Sequence, residues 1–128
     1  MVVGTERYGP VSLLRPSGSL DGTASPAFEG PLLAALAPAG SSAALVVVDF
    51  AAVPFISSAG LRVVMIGAKQ ARTAGARLAV AALTPTVREI FEISRFHHVV
   101  PVFATVAEAI ASLSEAGAAA FATGRREA

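Results

Sequence analysis

The adjacent serines Ser57 and Ser58 stand after a valine-rich strand that ends at Asp49, at the point where a helix is predicted to begin. The first backbone N–H groups of a helix have no partners within the helix, and the helix dipole is positive at that end. A phosphate on a serine hydroxyl is well tolerated there, because the free N–H groups can hold its oxygens. These residue types in this position therefore fit a phosphorylation switch, in which a dianion displaces a partner while the fold stays the same.

The polar side chains around this turn also have purely structural explanations. Serine is a preferred helix cap, and one serine of the pair suffices for that role. Asp49 ends a buried strand, where an unpaired carboxylate is unfavourable, so it is expected near solvent or bonded to the backbone of the next loop. Asp21, in the Gly-Ser-Leu-Asp segment, is typical of a turn. For both aspartates the alternative is contact with a partner beside the serines, and the pattern leaves this open.

Three basic residues, Arg62, Lys69 and Arg72, give the predicted second helix a positive outer side. A side of this kind is most often a solvated surface. The alternative is that it attracts an acidic partner toward Ser58, which would act mainly on the association rate.

The sequence lacks the patterns of several other chemistries. His97 and His98 are adjacent on a predicted strand, where neighbouring side chains point to opposite faces, so we do not expect them to chelate a metal. There is no glycine-rich nucleotide fingerprint, no P-loop lysine and no nucleophile elbow. Cysteine is absent, which excludes disulfides and thiolate sites. We therefore expect no metal, no cofactor and no enzyme activity.

The composition is that of one ordinary domain. The 128 residues are 54% hydrophobic and 15% charged, which is enough to bury a core without covalent staples. A net charge of +1 with scattered basic residues does not favour binding to a nucleic acid backbone. No apolar run reaches the length of a membrane span, and residues 1–7 do not resemble a secretion signal. The sequence predicts a soluble, cytoplasmic protein.

Hydrophobic periodicity predicts nine elements in the order β-β-α-β-α-β-α-β-α. Strands are expected at residues 2–7, 11–15, 43–50, 77–83 and 98–103, with the first two forming a hairpin. The residues that are expected to cap the four helices are Ser25, the serine pair at 57–58, Thr84 and Thr105. The alternation in the second part predicts parallel strands with right-handed crossovers. The expected fold class is a small single α/β domain with a mixed, mostly parallel sheet and helices packed on it.

The chain is expected to contain a single domain followed by a tail. Residues 1–116 are predicted to form the domain, with no internal repeat and no interdomain linker. Residues 117–128 are rich in alanine and are predicted to be a frayed or disordered tail.

Four short motifs resemble those of the STAS-domain anti-sigma factor antagonists, also called anti-anti-sigma factors. The central motif is the valine-rich strand that ends at Asp49, followed by Phe-Ile-Ser-Ser-Ala-Gly-Leu at residues 55–61. The others are Gly-Ser-Leu-Asp at residues 18–21, the segment 95–103, and Glu-Ala-Ile at residues 108–110. The resemblance extends over residues 2–113. Each motif alone is weak, but the four in this order and spacing are fairly specific.

The resemblance implies a STAS fold and a regulatory role in bacterial transcription. In this family the unphosphorylated protein binds an anti-sigma factor that is a serine kinase, which releases the sigma factor. The kinase phosphorylates the serine at the helix start and breaks the complex, and a PP2C-type phosphatase restores it. On this chain the implied phosphoacceptor is Ser58, with Ser57 as the fallback. The implied partner-binding residues are Asp21, Asp49, Ser57, Ser58, Ala59, Gly60, Leu61 and Arg62.

The sequence departs from the family pattern at two positions and leaves two other functions open. Ser57 stands where many members have Asp, and Ala59 where many have a second serine, so one negative charge beside the acceptor is lost. The first alternative is a STAS scaffold or accessory subunit of a stressosome-like or lipid-transport complex, with Ser58 only a helix cap. The second is a nucleotide-binding or enzymatic α/β protein, which the fold class alone supports.

Overall fold

A five-stranded mixed sheet forms the centre of the protein in the computed structural model, which describes residues 1–38, 40 and 42–124. The strands are β1 (Val2–Tyr8), β2 (Val11–Ser17), β3 (Leu45–Asp49), β4 (Arg77–Ala81) and β5 (Val102–Phe103). The helices are α1 (Ser25–Leu36), α2 (Ser58–Ala74), α3 (Pro85–Ile93), α4 (Val106–Leu113) and α5 (Glu115–Ala122), and a short 3-10 helix spans Phe96–His98. The strand order is β1-β2-β3-β4-β5; β1 is antiparallel to β2 and the other pairs are parallel. The predicted fold class is confirmed.

Helices cover both faces of the sheet, which explains the continuous apolar run of β3. Val46 and Val48 pack with α1, α2 and α3 on one face, whereas Val47 between them packs with α4 and α5 on the other. Successive side chains of a strand point to opposite faces, so a strand buried on both sides needs apolar residues at every position. Consequently the carboxyl end of β3, where Asp49 lies, is held rigidly in the middle of the sheet.

The predicted disordered tail is wrong for residues 117–122, the first half of its length. Residues 115–122 form α5, which the Ser114 hydroxyl caps by accepting a hydrogen bond from the Gly117 N–H at 2.9 Å. The Phe121 ring packs edge-on against Tyr8 of β1, with centroids 4.9 Å apart. Alanine has the highest helix propensity, and this contact supplies the tertiary packing that a short helix needs. Residues 125–128 of the predicted tail lie outside the described part of the chain.

The last predicted strand is also different in the structure. The segment expected as a strand at 98–103 contributes only Val102–Phe103 to the sheet, as β5. Before it, Arg95 adopts a left-handed conformation with φ 58° and starts the 3-10 helix. The Phe96 ring packs against Phe91 of α3 with centroids 5.6 Å apart. The chain therefore packs Phe96 on α3 before it enters the sheet, and β5 is shorter than predicted.

Two of the predicted helix caps have other roles. The N-cap of α1 is Ala24, and the Ser25 hydroxyl donates to the Gly22 carbonyl instead. Thr84 is the N-cap of α3 by position, but its hydroxyl donates to the Val53 carbonyl at 2.9 Å. Thr105 caps α4 as predicted, since its hydroxyl accepts from the Glu108 N–H at 3.1 Å.

Candidate functional site

The two serines at the start of α2 have different environments. Ser57 is the N-cap residue: its hydroxyl accepts from the Gly60 N–H at 3.4 Å and donates to the Leu20 carbonyl at 3.3 Å. Ser58 is the first residue of the helix, is exposed, and its hydroxyl makes no hydrogen bond within the described part of the chain. The capping role therefore belongs to Ser57, and the Ser58 hydroxyl is available to a modifying enzyme.

The loop before α1 is joined to the start of α2 by backbone hydrogen bonds. The Leu20 N–H donates to the Phe55 carbonyl at 2.9 Å, and the Ser57 N–H donates to the Leu20 carbonyl at 3.0 Å. This parallel bridge between Leu20 and Ile56 extends the pairing of β2 and β3 beyond the strand ends. It brings Asp21 to the same edge of the sheet as the serines, as the family resemblance implied.

Asp21 forms the turn that was predicted for it and remains exposed. Its Oδ1 atom accepts hydrogen bonds from the N–H groups of Thr23 at 3.0 Å and Ala24 at 2.9 Å. This is the bonding pattern of an Asx turn, which shapes the loop that leads into α1. The second carboxylate oxygen has no hydrogen bond among the described residues, so the side chain presents negative charge beside α2.

Gly60 allows the loop to approach the helix closely. A Cβ atom at this position would lie 2.5 Å from the Leu20 carbonyl oxygen and 2.7 Å from Cγ1 of Ile56. No other residue therefore fits without displacing the carbonyl that bonds Ser57. Gly60 is a structural residue of the site and is buried, and it contributes no side chain to a partner contact.

Asp49 has a structural role, which was one of the two alternatives predicted for it. It is only 6% exposed. Its carboxylate accepts hydrogen bonds from the Arg15 guanidinium and, at 2.9 Å, from the Ala51 N–H in the following loop. Arg15 also pairs with Glu6 of β1 at 3.3 Å. Because the Asp49 carboxylate is buried and bonded to Arg15 and Ala51, we leave Asp49 out of the proposed binding surface.

The outer side of α2 carries the basic residues that were predicted there. Arg62, Lys69 and Arg72 are all exposed, and α2 contains no acidic residue. Arg62 lies four residues after Ser58, so the two side chains are neighbours on one side of the helix. Ala59 and Leu61 are half-buried, and Leu61 packs against the core. A partner on this edge would therefore meet mainly Asp21, Ser58 and Arg62.

Two structural features near the serines were not found from the sequence. Phe55, two residues before Ser57, is 44% exposed, whereas the other Phe and Tyr residues are buried or half-buried. Exposed aromatic residues are enriched at protein interfaces. Arg15, the partner of Asp49, was also missed. The register of β2 against β3 indicates this pairing. Leu14 pairs with Val48, so the residues that follow them, Arg15 and Asp49, are neighbours.

The histidine pair does not lie on a strand, so the geometric argument against chelation was wrong. His97 and His98 belong to the 3-10 helix, and their rings lie side by side with centroids 4.1 Å apart. Still, the described residues contain no group of three or more His, Cys, Asp or Glu side chains that could hold a metal ion. None of the described helices is long and apolar enough to cross a bilayer.

Comparisons with known proteins show the family of the chain. A family model described as STAS domain matches residues 3–109. The chain belongs to the STAS domain family. It is similar to the "Putative anti-sigma factor antagonist BtrV" of Bordetella bronchiseptica, with 47% identity over 78 residues. That match covers 61% of this chain and 60% of BtrV, so the chain spans less than two thirds of this relative.

Solved structures share the fold over most of the chain. An anti-sigma factor antagonist from Mycobacterium paratuberculosis has a TM-score of 0.76 at 23% identity and covers 88% of this chain and 92% of its own. Unphosphorylated SpoIIAA has a TM-score of 0.69 at 22% identity, covering 88% and 96%. The phosphorylated form of SpoIIAA, a Bacillus cell fate determinant, has a TM-score of 0.65 at 20% identity, covering 88% and 100%. At these identities the likeness establishes the fold.

The different roles of the two serines predict different effects of their removal. We expect Ser57→Ala to lower the free energy of unfolding by about 1 kcal/mol, because the cap bonds to Gly60 and Leu20 are lost. The matched change Ser58→Ala, at the next residue, should alter it by less than about 0.5 kcal/mol, since the Ser58 hydroxyl makes no hydrogen bond to any residue that the structure describes. Urea unfolding followed by circular dichroism measures both. Equal losses for the two variants would contradict the assignment of Ser57 as the cap.

Proposed function

We propose that this protein is an anti-sigma factor antagonist. In its unphosphorylated form it binds an anti-sigma factor at the edge of the sheet formed by the Asp21 loop, Phe55 and the first turns of α2. Binding releases a sigma factor for transcription. The observation that carries the proposal is the exposed hydroxyl of Ser58, which has no hydrogen bond among the described residues, next to a cap that Ser57 already supplies. The 47% identity to BtrV, which is named as an anti-sigma factor antagonist, supports the same function.

The proposed switch is phosphorylation of Ser58 by the anti-sigma factor acting as a serine kinase. The phosphate would carry a charge of about −1.5 to −2 at the positive end of the α2 dipole. Arg62, four residues further along the helix, is placed to pair with it. These interactions favour the same helix in both states, so the fold need not change. The bound partner would instead meet a hydrated dianion at the centre of its interface, which is costly to desolvate.

The other components of the proposed cycle follow from the switch. A PP2C-type phosphatase would remove the phosphate and restore binding. The protein itself would act as a binding partner in the cytoplasm, without catalysis, cofactor or metal. Ser57 is the fallback acceptor, although its hydroxyl is half-buried and bonded to Leu20. Ser57 stands where many members of the family have Asp. The turn that contains the proposed acceptor therefore carries no negative charge of its own.

A binding measurement with a phosphomimetic variant tests the proposal. We expect Ser58→Asp to weaken binding to the anti-sigma factor by at least about tenfold, because a charge at the interface centre must be desolvated. Ser58→Ala should bind like the wild type. Isothermal titration with the purified anti-sigma factor gives both affinities.

Ala107→Asp is the matched control for the phosphomimetic variant. It also adds an acidic residue to the first turn of an exposed helix start, but on α4, which covers the opposite face of the sheet. We expect it to bind normally. Equal affinities for Ser58→Asp and the wild type would contradict the switch and favour the scaffold alternative, in which Ser58 only starts a helix.

A further inference from the structure

A second concave site lies between α3 and the edge strand β5. It is a cleft of about 510 Å³ that shares no lining residue with the turn containing Ser57 and Ser58. This volume is within the range of small-molecule sites. The cleft opens beyond the carboxyl ends of β4 and β5, where ligands of open α/β sheets commonly bind. Its position and size are those of a site for a small ligand.

The floor of the cleft is apolar and rigid. Leu83 and Phe91 are 6% and 1% exposed, so the cleft reaches down to the main core. Val102 and Phe103 of β5 form a half-buried wall. Phe91 is held from behind by the rings of Phe50 and Phe96, at 6.1 and 5.6 Å. A ligand with an apolar body of a few carbon atoms could cover the half-buried Val102 and Phe103 and remove their exposed surface from water.

The mouth of the cleft carries one positive and one negative side chain from the same side of α3. Arg88 and Glu92 both line it, four residues apart, and His97 of the 3-10 helix lies beside them. Within the described part of the chain neither Arg88 nor Glu92 forms an ion pair. Both charged groups are therefore available to a ligand that carries charges of both signs at one end.

The backbone around the cleft is strained on two sides. Ala82 and Arg95 are the two non-glycine residues with positive φ among those described, at 59° and 58°. Ala82 directly precedes Leu83 in the cleft floor, and its N–H donates to the Phe103 carbonyl at 3.1 Å. Arg95 starts the 3-10 helix that carries His97. Strained non-glycine residues concentrate at ligand sites, where the surrounding structure holds them in place.

We propose that this cleft binds a small zwitterion with an apolar body, of the class of the apolar α-amino acids. The carboxylate pairs with Arg88, the ammonium group pairs with Glu92, and the apolar side chain covers Val102 and Phe103. A simple organic anion fits less well, because Glu92 would repel it. This proposal is independent of the function assigned to Ser58.

Calorimetric titration of the full chain with leucine, methionine and phenylalanine at neutral pH tests the proposal. We expect saturable one-to-one binding of at least one of them. The analogue of that amino acid without its ammonium group, and the one without its carboxylate, should each bind at least about tenfold more weakly, because one charge pair is lost. No saturable binding of any of the three would overturn the proposal, as would equal affinity for either analogue.

Substitutions of exposed charged residues test where the ligand binds. Arg88→Gln should weaken binding of the amino acid at least about tenfold. It should not weaken binding of the analogue that lacks the carboxylate. Glu92→Gln should not weaken binding of the analogue that lacks the ammonium group. Arg72→Gln, on α2 and outside this cleft, is the matched control and should bind normally. Equal affinities of Arg88→Gln, Glu92→Gln and Arg72→Gln would show that ligand binds elsewhere and would overturn the assignment.

Discussion

Replacing Gly60 with alanine is expected to lower the free energy of unfolding by about 3 kcal/mol, through overpacking. The added methyl group would lie 2.5 Å from the Leu20 carbonyl oxygen and 2.9 Å from Cγ of Leu20. The first of these atoms belongs to the backbone, so it cannot move aside by a change of rotamer. The Leu20 carbonyl accepts both hydrogen bonds from Ser57, and its displacement would separate the Asp21 loop from α2. Urea unfolding gives the stability loss, and titration with the anti-sigma factor gives the loss of binding.

Gly30→Ala is the matched control for this prediction. Gly30 is also a helical glycine, in α1, but it is exposed, and a Cβ atom there would meet no other part of the described chain within 4 Å beyond its adjacent residues and its own helix backbone. Helix propensity favours alanine, but its Cβ would lie next to the Pro31 ring, which disfavours the helical conformation of the residue before it. The same substitution should therefore change the free energy of unfolding by less than about 1 kcal/mol. Similar effects of the two substitutions would contradict the close approach of the Leu20 carbonyl to α2.

Replacing Arg15 with glutamine is expected to lower the free energy of unfolding by about 2 kcal/mol, because it leaves the buried Asp49 carboxylate without its cation. The side chain of Asp49 is 7% exposed, and it would retain only the hydrogen bond from the Ala51 N–H. Arg15 itself is 39% exposed, so water can replace part of the lost interaction. The effect is therefore smaller than for a fully buried pair. Thermal and urea unfolding measure it.

Arg77→Gln provides the comparison for Arg15→Gln. Arg77 is an exposed arginine at the start of β4 and has no ion pair within the described residues. Its replacement should change the free energy of unfolding by less than about 0.5 kcal/mol. The variant Asp49→Asn completes a double-mutant cycle, in which removal of Arg15 should have a smaller effect than in the wild type. Additive effects of the two substitutions would show that Arg15 and Asp49 do not interact energetically.

The sequence was sufficient to predict the features that depend on local pattern. The unbroken apolar run before Asp49 indicates a strand buried on both faces, and Ser57 before an amphipathic segment indicates a helix start. The alternation of strands and helices indicates parallel pairing. Each of these follows from a periodicity or a preference that a short window of residues contains.

Features that depend on contacts between distant segments could not be predicted in this way. The pairing of Arg15 with Asp49 requires the register of β2 against β3, which no window of either strand contains. The tight contact of Gly60 with the Leu20 carbonyl depends on how the loop before α1 meets the first turn of α2. Helix α5 was missed because its alanine-rich composition suggested a tail, whereas packing of Phe121 on Tyr8 stabilises it. Tertiary packing overrides local composition in such segments.

Intact-mass spectrometry tests the proposed phosphorylation switch most directly. The protein is incubated with ATP and its cognate anti-sigma factor, in parallel with the variants Ser58→Ala and Ser57→Ala. We expect the wild type and Ser57→Ala to gain one phosphate, and Ser58→Ala to gain none. A phosphate that persists in Ser58→Ala, or a wild-type protein that forms the complex but is never phosphorylated, would contradict the switch at Ser58.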